Sequence, residues 1–238
     1  MRDGTGTWLV IPTYNEADNV EAIVTAALQH LPSPRRLLLV DDASPDRTGE
    51  IADQLAEAYD EVAVLHRPAK EGLGPAYVAG FHRALREGAE LVAQMDADFS
   101  HDPADLRRLV EAAATADVVL GSRYVNGGAV TDWGPGRRAI SRWGSTYARA
   151  TLGVRVRDLT GGFKVYRRRV LEAIDLDSLA AQGYAFQVET TFRAIRAGFE
   201  VVEVPIVFRD RRVGESKMTH AIVLEAALRV PMMRLRGR

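Results

Sequence analysis

The chain contains no cysteine. That excludes disulfides, thiolate nucleophiles and cysteine-ligated metals together, and leaves oxygen and imidazole groups to hold any metal. No apolar run reaches the roughly 18 residues that a membrane-spanning helix needs, and the opening Met1-Arg2-Asp3-Gly4-Thr5-Gly6 lacks the apolar centre of a signal peptide. The expectation is an intracellular chain that does not cross a bilayer by itself. Also missing are internal repeats, the Gly-x-Gly-x-x-Gly of dinucleotide-binding turns and the Gly-Lys-Ser/Thr of phosphate-binding loops. No nucleic acid is expected as a partner.

What is present fits an ordinary globular chain. Its 238 residues are 47% hydrophobic and 26% charged, with a mean hydropathy of -0.13, and read as a single catalytic domain over 1–238. The net charge of -1 hides an asymmetry. Residues 1–120 carry 10 Lys and Arg against 21 Asp and Glu, a balance of -11, while residues 121–238 carry 21 against 11, a balance of +10. An acidic half joined to a basic half suggests cation chemistry on one side and an anionic partner on the other.

Short apolar runs at Trp8–Ile11, Leu37–Val40, Val62–Leu65, Leu91–Met95 and Val118–Leu120 have strand length and polar boundaries. Between them lie amphipathic stretches. Val20, Ile23, Val24, Ala27, Leu28 and Leu31 keep helical spacing, with Asn15 as N-cap and Pro32 beyond the end. Asp102-Pro103 opens another helix, where the proline's missing N–H costs nothing. This alternation argues for a parallel, three-layer α/β sheet, whose ligands gather at the carboxyl ends of the strands. Beyond Gly127, Gly128, Gly134, Pro135 and Gly136, which mark a loop, the expected elements are a helix over 139–152, a strand over 162–166, helices over 168–174 and 186–197, a strand over 201–207, and an amphipathic, basic-ended helix over about 219–235.

Three of the first four strands end in polar clusters: Pro12-Thr13-Tyr14-Asn15-Glu16, Asp41-Asp42-Ala43-Ser44-Pro45-Asp46 and Asp96-Ala97-Asp98. A parallel sheet brings these ends to one edge, where crowded carboxylates need a cation or ligand donors to offset their repulsion. Asp96 and Asp98 suit one hard divalent ion with open positions for phosphate or water, although Asp-x-Asp also makes common turns. Asp46 suits a helix cap, and Gly161-Gly162 reads either as a turn into a strand or as an anion-binding nest. His66 and His101 read as structural, neither having a partner at ligand spacing.

In order along the chain, Val10-Ile11-Pro12-Thr13-Tyr14-Asn15-Glu16, Val40-Asp41-Asp42-Ala43-Ser44-Pro45-Asp46, Gly72-Leu73-Gly74-Pro75-Ala76-Tyr77, Met95-Asp96-Ala97-Asp98-Phe99-Ser100-His101, Gly121-Ser122-Arg123-Tyr124-Val125, Asp158-Leu159-Thr160-Gly161-Gly162-Phe163 and Gly214-Glu215-Ser216-Lys217 resemble the motifs of family 2 glycosyltransferases. Within that family they most resemble the polyprenol (dolichyl) phosphate mannose synthases. The resemblance implies a GT-A fold, a Rossmann-like three-layer α/β sandwich with a mostly parallel central sheet. It implies GDP-mannose as donor, Mg²⁺ or Mn²⁺, inversion at the anomeric carbon and a polyprenyl monophosphate acceptor. It places Pro12, Tyr14, Glu16, Val40 and Asp42 around the nucleoside, Asp96 and Asp98 at the metal, Ala97 against the nucleotide through its backbone, and Arg123, Arg211 and Lys217 on phosphates. Ser100 stands where archaeal-type relatives often have a glutamine metal ligand.

The implied chemistry suits these residues. Negative charge grows on the departing diphosphate, so a divalent metal and fixed cations such as Arg211 and Lys217 are its natural stabilisers. A phosphate monoester, with a second pKa near 6, is already largely dianionic at neutral pH and needs no strong general base. Asp158 is then expected to orient the acceptor, and the loop from Phe208 to Lys217 to close over the donor. A lipid acceptor implies peripheral association with the inner face of the cell membrane through the 219–235 helix, with or without a membrane-bound partner subunit. Two alternatives stay open: a family 2 transferase using another nucleotide sugar such as UDP-glucose, with a lipid phosphate or soluble acceptor, and a non-catalytic nucleotide-sugar binding subunit.

Overall fold

The computed structural model describes residues 6–179, 183–210 and 229–235. Arg211, Lys217 and most of the helix expected over 219–235 lie outside the described residues.

Every strand-length apolar run forms a strand. β1 (Thr7–Thr13), β2 (Arg35–Asp41), β3 (Val62–His66), β4 (Leu91–Gln94), β5 (Val118–Ser122), β7 (Lys164–Arg167) and β8 (Val201–Pro205) make one sheet in the order β3-β2-β1-β4-β7-β5-β8. All neighbours pair parallel except β7, which runs antiparallel to β4 and β5. The sheet is covered on both faces, so its central strands are apolar at consecutive positions rather than alternately. Trp8 and Val10 point into one core with Val40, Tyr77, Phe81 and Phe186. Leu9 and Ile11 point into the other with Ile23, Leu39, Leu55 and Leu106. Helices α1 (Val20–His30), α2 (Thr48–Ala58) and α4 (Leu106–Ala112) cover the second face, while α3 (Leu73–Arg86), α6 (Arg168–Ala173) and α7 (Gly183–Arg196) contribute to the first. Each fully buried Leu, Val or Phe contributes about 1.5–3 kcal/mol of apolar transfer. Helix α3 lies close to the sheet at Gly80, where a Cβ would come within 2.4 Å of Val10 Cγ1.

Several local expectations change. Asn15 does not cap α1; it takes a positive φ of 56° in the loop, and Asn19 holds the cap position. Asp102 caps as expected, accepting the Ala104 N–H at 3.0 Å, but Pro103 opens a 3-10 turn, Pro103–Asp105, that runs into α4. Asp46 accepts the Thr48 N–H at 3.0 Å at the start of α2. Pro135 and Gly136 are not loop but the first turn of α5 (Pro135–Leu152), which ends at Gly153 in the left-handed region, φ 71°. The expected 201–207 strand divides into β8 and β9 (Val207–Phe208), and β9 pairs with β6 (Ala129–Val130). Two-residue strands carry no periodic signal, so the sequence could not show them.

The reversal at β7 matters for function. Parallel strands deliver their following loops to the carboxyl edge of the sheet, whereas an antiparallel strand delivers the segment preceding it. Residues 158–163 therefore arrive at the same edge as the loops after β1, β2 and β4.

Candidate active site

A cavity of about 390 Å³ opens at that edge, within the range of small-molecule sites. Pro12, Tyr14, Glu16, Asp42, Asp96, Ala97, Asp98, Ser100 and Arg123 all line it. Val40 does not. Its side chain is fully buried under α3, where a Cβ on Gly80 would lie 3.1 Å from Val40 Cγ2.

One end of the cavity is built by two loops that brace each other. Ser44 Oγ, Asp46 Oδ2 and Thr48 Oγ1 accept the backbone N–H groups of Asn15, Ala17 and Glu16 at 3.2, 3.3 and 2.9 Å. Asp41 in turn accepts the Ser44 hydroxyl at 2.5 Å. Asp41 and Asp46 are thus framework, and Asp42 is the carboxylate that reaches the cavity. Asp42 pairs with Arg67 and accepts the Gly72 N–H at 2.7 Å. Lys70 Nζ sits 3.6 Å from the Tyr14 ring centroid, a cation–π contact that leaves an aromatic face and a positive charge at one wall.

The middle of the cavity belongs to the loop after β4. Asp96 Oδ1 accepts the Tyr77 hydroxyl at 3.1 Å. Burial, followed by the Asp96 charge, pushes the Tyr77 phenol well above its usual range, so it remains a protonated donor. Asp98 is 5% exposed and Oδ1 accepts the Ser100 N–H at 3.0 Å. Ser100 Oγ is buried and, among the described residues, has no hydrogen-bond partner. Two carboxylates and an orphaned hydroxyl are hard oxygen donors, which fits Mg²⁺ or Mn²⁺ with further positions left to ligand oxygens. Among the described residues no group of three or more His, Asp or Glu side chains forms a self-sufficient metal cage.

His101, read as structural from sequence, lines this cavity at 2% exposure. Nδ1 accepts the Asp96 N–H at 3.3 Å, and the ring packs on Phe163 and Phe208 with centroids 5.1 and 5.3 Å away. Burial lowers its pKa against the opposing pull of Asp96 and Asp98, so the imidazole is neutral at pH 7 and holds the acidic loop in shape. His66 stays outside the cavity, with Nε2 2.8 Å from Asp53.

At the far end stands Arg123. The expectation that Asp158 orients a substrate is corrected here, because Asp158 is fully buried behind Arg123 and does not line the cavity. It accepts Arg123 Nε at 2.7 Å, Nη2 at 2.6 Å and the Arg123 backbone N–H at 2.9 Å. Burial raises the Asp158 pKa, but the Arg123 charge and hydrogen bonds outweigh it and leave the carboxyl below its usual value. Arg123 Nη2 also donates to Thr160 Oγ1 at 2.8 Å. Nearby, Arg137 Nη1 donates to both oxygens of Asp210 at 3.0 and 2.9 Å, and its guanidinium lies 4.1 Å from the Trp133 ring centroid. Lys70, Trp133, Arg137, Asp210 and Gln187 line the cavity without belonging to a motif. Nothing in the local pattern around them marks them as site residues.

The family model described as "Glycosyl transferase family 2" matches residues 8–175. The chain is 48% identical over its whole length to a polyprenol monophosphomannose synthase from Mycolicibacterium smegmatis, covering 90% of that protein. It is 47% identical, over 96% of its length and 94% of the relative, to an undecaprenyl-phosphate mannosyltransferase from Micrococcus luteus. Among solved structures, glucosyl-3-phosphoglycerate synthase from Mycobacterium tuberculosis, in complex with Mn²⁺, UDP and phosphoglyceric acid, superposes with a TM-score of 0.72 at 19% identity, covering 96% of this chain and 78% of that one. The same enzyme was also solved with Mg²⁺ and UDP, at a TM-score of 0.70 and 20% identity over 96% of this chain and 79% of that one. At that identity the likeness shows the shared α/β fold.

Proposed function

This chain belongs to glycosyl transferase family 2, and we propose that it transfers mannose from GDP-mannose to a polyprenyl monophosphate, with inversion at the anomeric carbon and release of GDP. The observation that carries the reading is the order of chemistry along one cavity. An aromatic, a cation and Asp42 stand over β1 and β2, paired aspartates follow β4, and arginines stand over β7 and β5. That order matches a nucleoside, a diphosphate and a second, acceptor phosphate. The mannosyl lipid chemistry named for the two curated relatives supports the same assignment.

In this reading Tyr14, Pro12 and Glu16 flank the nucleoside and Asp42 accepts from its hydroxyls. Asp96 and Asp98, with Ser100, would hold the divalent cation, which when bound supplies positive charge to the leaving diphosphate. Arg123, locked by Asp158, presents a fixed cation to phosphate without reorganising during the reaction. Arg211 and Lys217, assigned by motif alone, finish the neutralisation. The acceptor dianion attacks without a dedicated base, in keeping with a His101 whose Nδ1 is already engaged.

Among the described residues no helix is long and apolar enough to cross a membrane. Helix α5 instead exposes Ile140 and Trp143, at 54% and 62%, beside Arg138 and Arg142. Residues 229–235 are helical; Val230 is buried, and Arg234 donates to the Thr151 carbonyl at 2.5 Å, which docks this segment beside α5 while Met232 and Leu235 remain exposed. Aromatic and aliphatic tips among arginines support peripheral contact with an anionic leaflet on the cytoplasmic side. The test is transfer of radiolabel from GDP-mannose into an organic-extractable lipid with Mn²⁺ or Mg²⁺. Label in the lipid phase is expected with polyprenyl phosphate. Label only from UDP-glucose, or GDP binding with no transfer to any polyprenyl phosphate, overturns the proposal.

A further inference from the structure

Gln187 has no part in the chemistry above, yet it is built into the cavity floor at 2% exposure. Its backbone carbonyl accepts Lys164 Nζ at 2.7 Å and the hydroxyls of Thr190 and Thr191 at 3.2 and 3.1 Å. Its side-chain Oε1 accepts Gln94 Nε2 at 2.7 Å, and the same Gln94 nitrogen donates to the Gly162 carbonyl at 2.8 Å. A backbone carbonyl only accepts, so Gln94 must turn its nitrogen toward Gly162 and Gln187. That settles the second amide as well, with oxygen toward Gln94 and nitrogen turned away from it. Among the described residues Gln187 Nε2 has no hydrogen-bond partner. A buried amide donor held by four other hydrogen bonds and left without an acceptor is a place prepared for one.

Gly162 shows what fits. A Cβ built on it would lie 3.4 Å from His101 Cε1, 3.5 Å from Gln187 Nε2 and 3.6 Å from Asp96 Oδ2. The glycine therefore leaves open a niche with a donor on one wall and a carboxylate on another. A hydroxyl, which accepts and donates, satisfies both walls. A nucleotide sugar laid from Asp42 across Asp98 and Asp96 brings its sugar over the start of β7, where Gly162 stands. We propose that Gln187 Nε2 donates a hydrogen bond to one hydroxyl of the donor sugar, with Gly162 and Asp96 completing the niche, and so sets sugar specificity. The inference rests on the nucleotide-sugar reading above.

Calorimetric titration of the full chain with GDP and with GDP-mannose, each with Mn²⁺, tests it. Gln187→Glu keeps the oxygen toward Gln94 and removes the donor, Gln187→Leu removes both, and Gly162→Ala fills the niche at ordinary contact distances. Each variant is expected to weaken GDP-mannose about tenfold while GDP affinity stays within about twofold. One member of a GDP-deoxymannose series is expected to cost the wild type a similar factor and to cost Gln187→Leu nothing further. Equal losses of GDP and GDP-mannose in the variants, or unchanged GDP-mannose binding in Gln187→Glu and Gly162→Ala, overturn the proposal. If the Gln187 variants do not fold, Gly162→Ala and the deoxy series on wild type decide it, and a series with no sensitive position is a refutation. Failure of the parent reading looks different, as wild type itself would then transfer no mannose to lipid.

Discussion

Asp158→Asn keeps the shape of the buried side chain and removes the charge that holds Arg123. Arg123 and Asp158 are 3% and 0% exposed as side chains, so solvent screening gives little relief. Asp158 accepts two guanidinium hydrogen bonds and one backbone N–H. Removing one partner of such a pair costs about 3–5 kcal/mol. For a chain of this size that is a fall in thermal midpoint of roughly 6–20 °C, at about 2–4 °C per kcal/mol. The double variant Arg123→Met with Asp158→Leu is expected to regain at least half of the loss, because it leaves no unpaired buried charge. The sign with pH follows from the depressed carboxyl pKa of Asp158. Its stabilisation is fully present above the unfolded-state value and fades as pH falls through the lower folded-state value, so the difference between wild type and Asp158→Asn is constant near neutrality and narrows below about pH 4. Scanning calorimetry at several pH values reads all of this, and a midpoint loss under about 2 °C would refute the argument. Turnover supplies a second check. Asp158→Asn is expected to lower kcat in wild type and to add nothing in an Arg123→Met background. A further loss in that background would mean that Asp158 touches substrate itself.

Asp96→Asn and Asp98→Asn are each expected to abolish the Mn²⁺-dependent part of GDP binding by calorimetry, and Ser100→Ala to weaken it only a few-fold; equal metal dependence in all four proteins would remove the paired aspartates from the metal site. Lys164 is fully buried and its pKa is lowered by that burial to about 7. The unfolded chain therefore holds a proton there that the native state releases, and native stability gains from this group as pH rises from about 7 to 10. Lys164→Met is expected to be more stable than wild type at pH 6, with the advantage shrinking by pH 9; a constant difference would show that Lys164 does not titrate in this range. Gly80→Ala is expected to destabilise the fold by about 1–3 kcal/mol, since its Cβ would overlap Val10; an unchanged denaturation midpoint would show that α3 can move away from the sheet at no cost. Trp143→Ser on the exposed face of α5 is expected to reduce flotation with anionic liposomes several-fold while leaving the GDP affinity intact, and unchanged flotation would assign membrane contact elsewhere.

Much of this was legible in the linear chain because it depends on near neighbours. The five apolar runs from Trp8 to Leu120 are strands because consecutive apolar residues need burial on both faces, and α1 keeps the spacing of its buried stripe. Tyr14, Asp42, Asp96 and Asp98 could be brought together from sequence because they follow strands, and a parallel sheet carries such residues to one edge; Pro12 is carried there near the end of β1 itself. Asn15, Val40 and Asp158 were misplaced for reasons that only geometry supplies. Asn15 needed a positive φ, Val40 was covered by α3 at Gly80, and Asp158 lost its access to the cavity to Arg123.

What the sequence determined by itself was the layered α/β architecture and the carboxylate-rich edge, both consequences of side-chain polarity repeated at short range. Tertiary structure decided which of the acids at that edge remain available to a ligand. The antiparallel β7 brings Gly162 and Lys164 beneath α7, and with them the amide chain from Gln94 to Gln187. Those partners lie 68 to 93 residues apart, a separation across which hydrogen-bond direction and the packing of one helix on one strand leave no trace in local pattern.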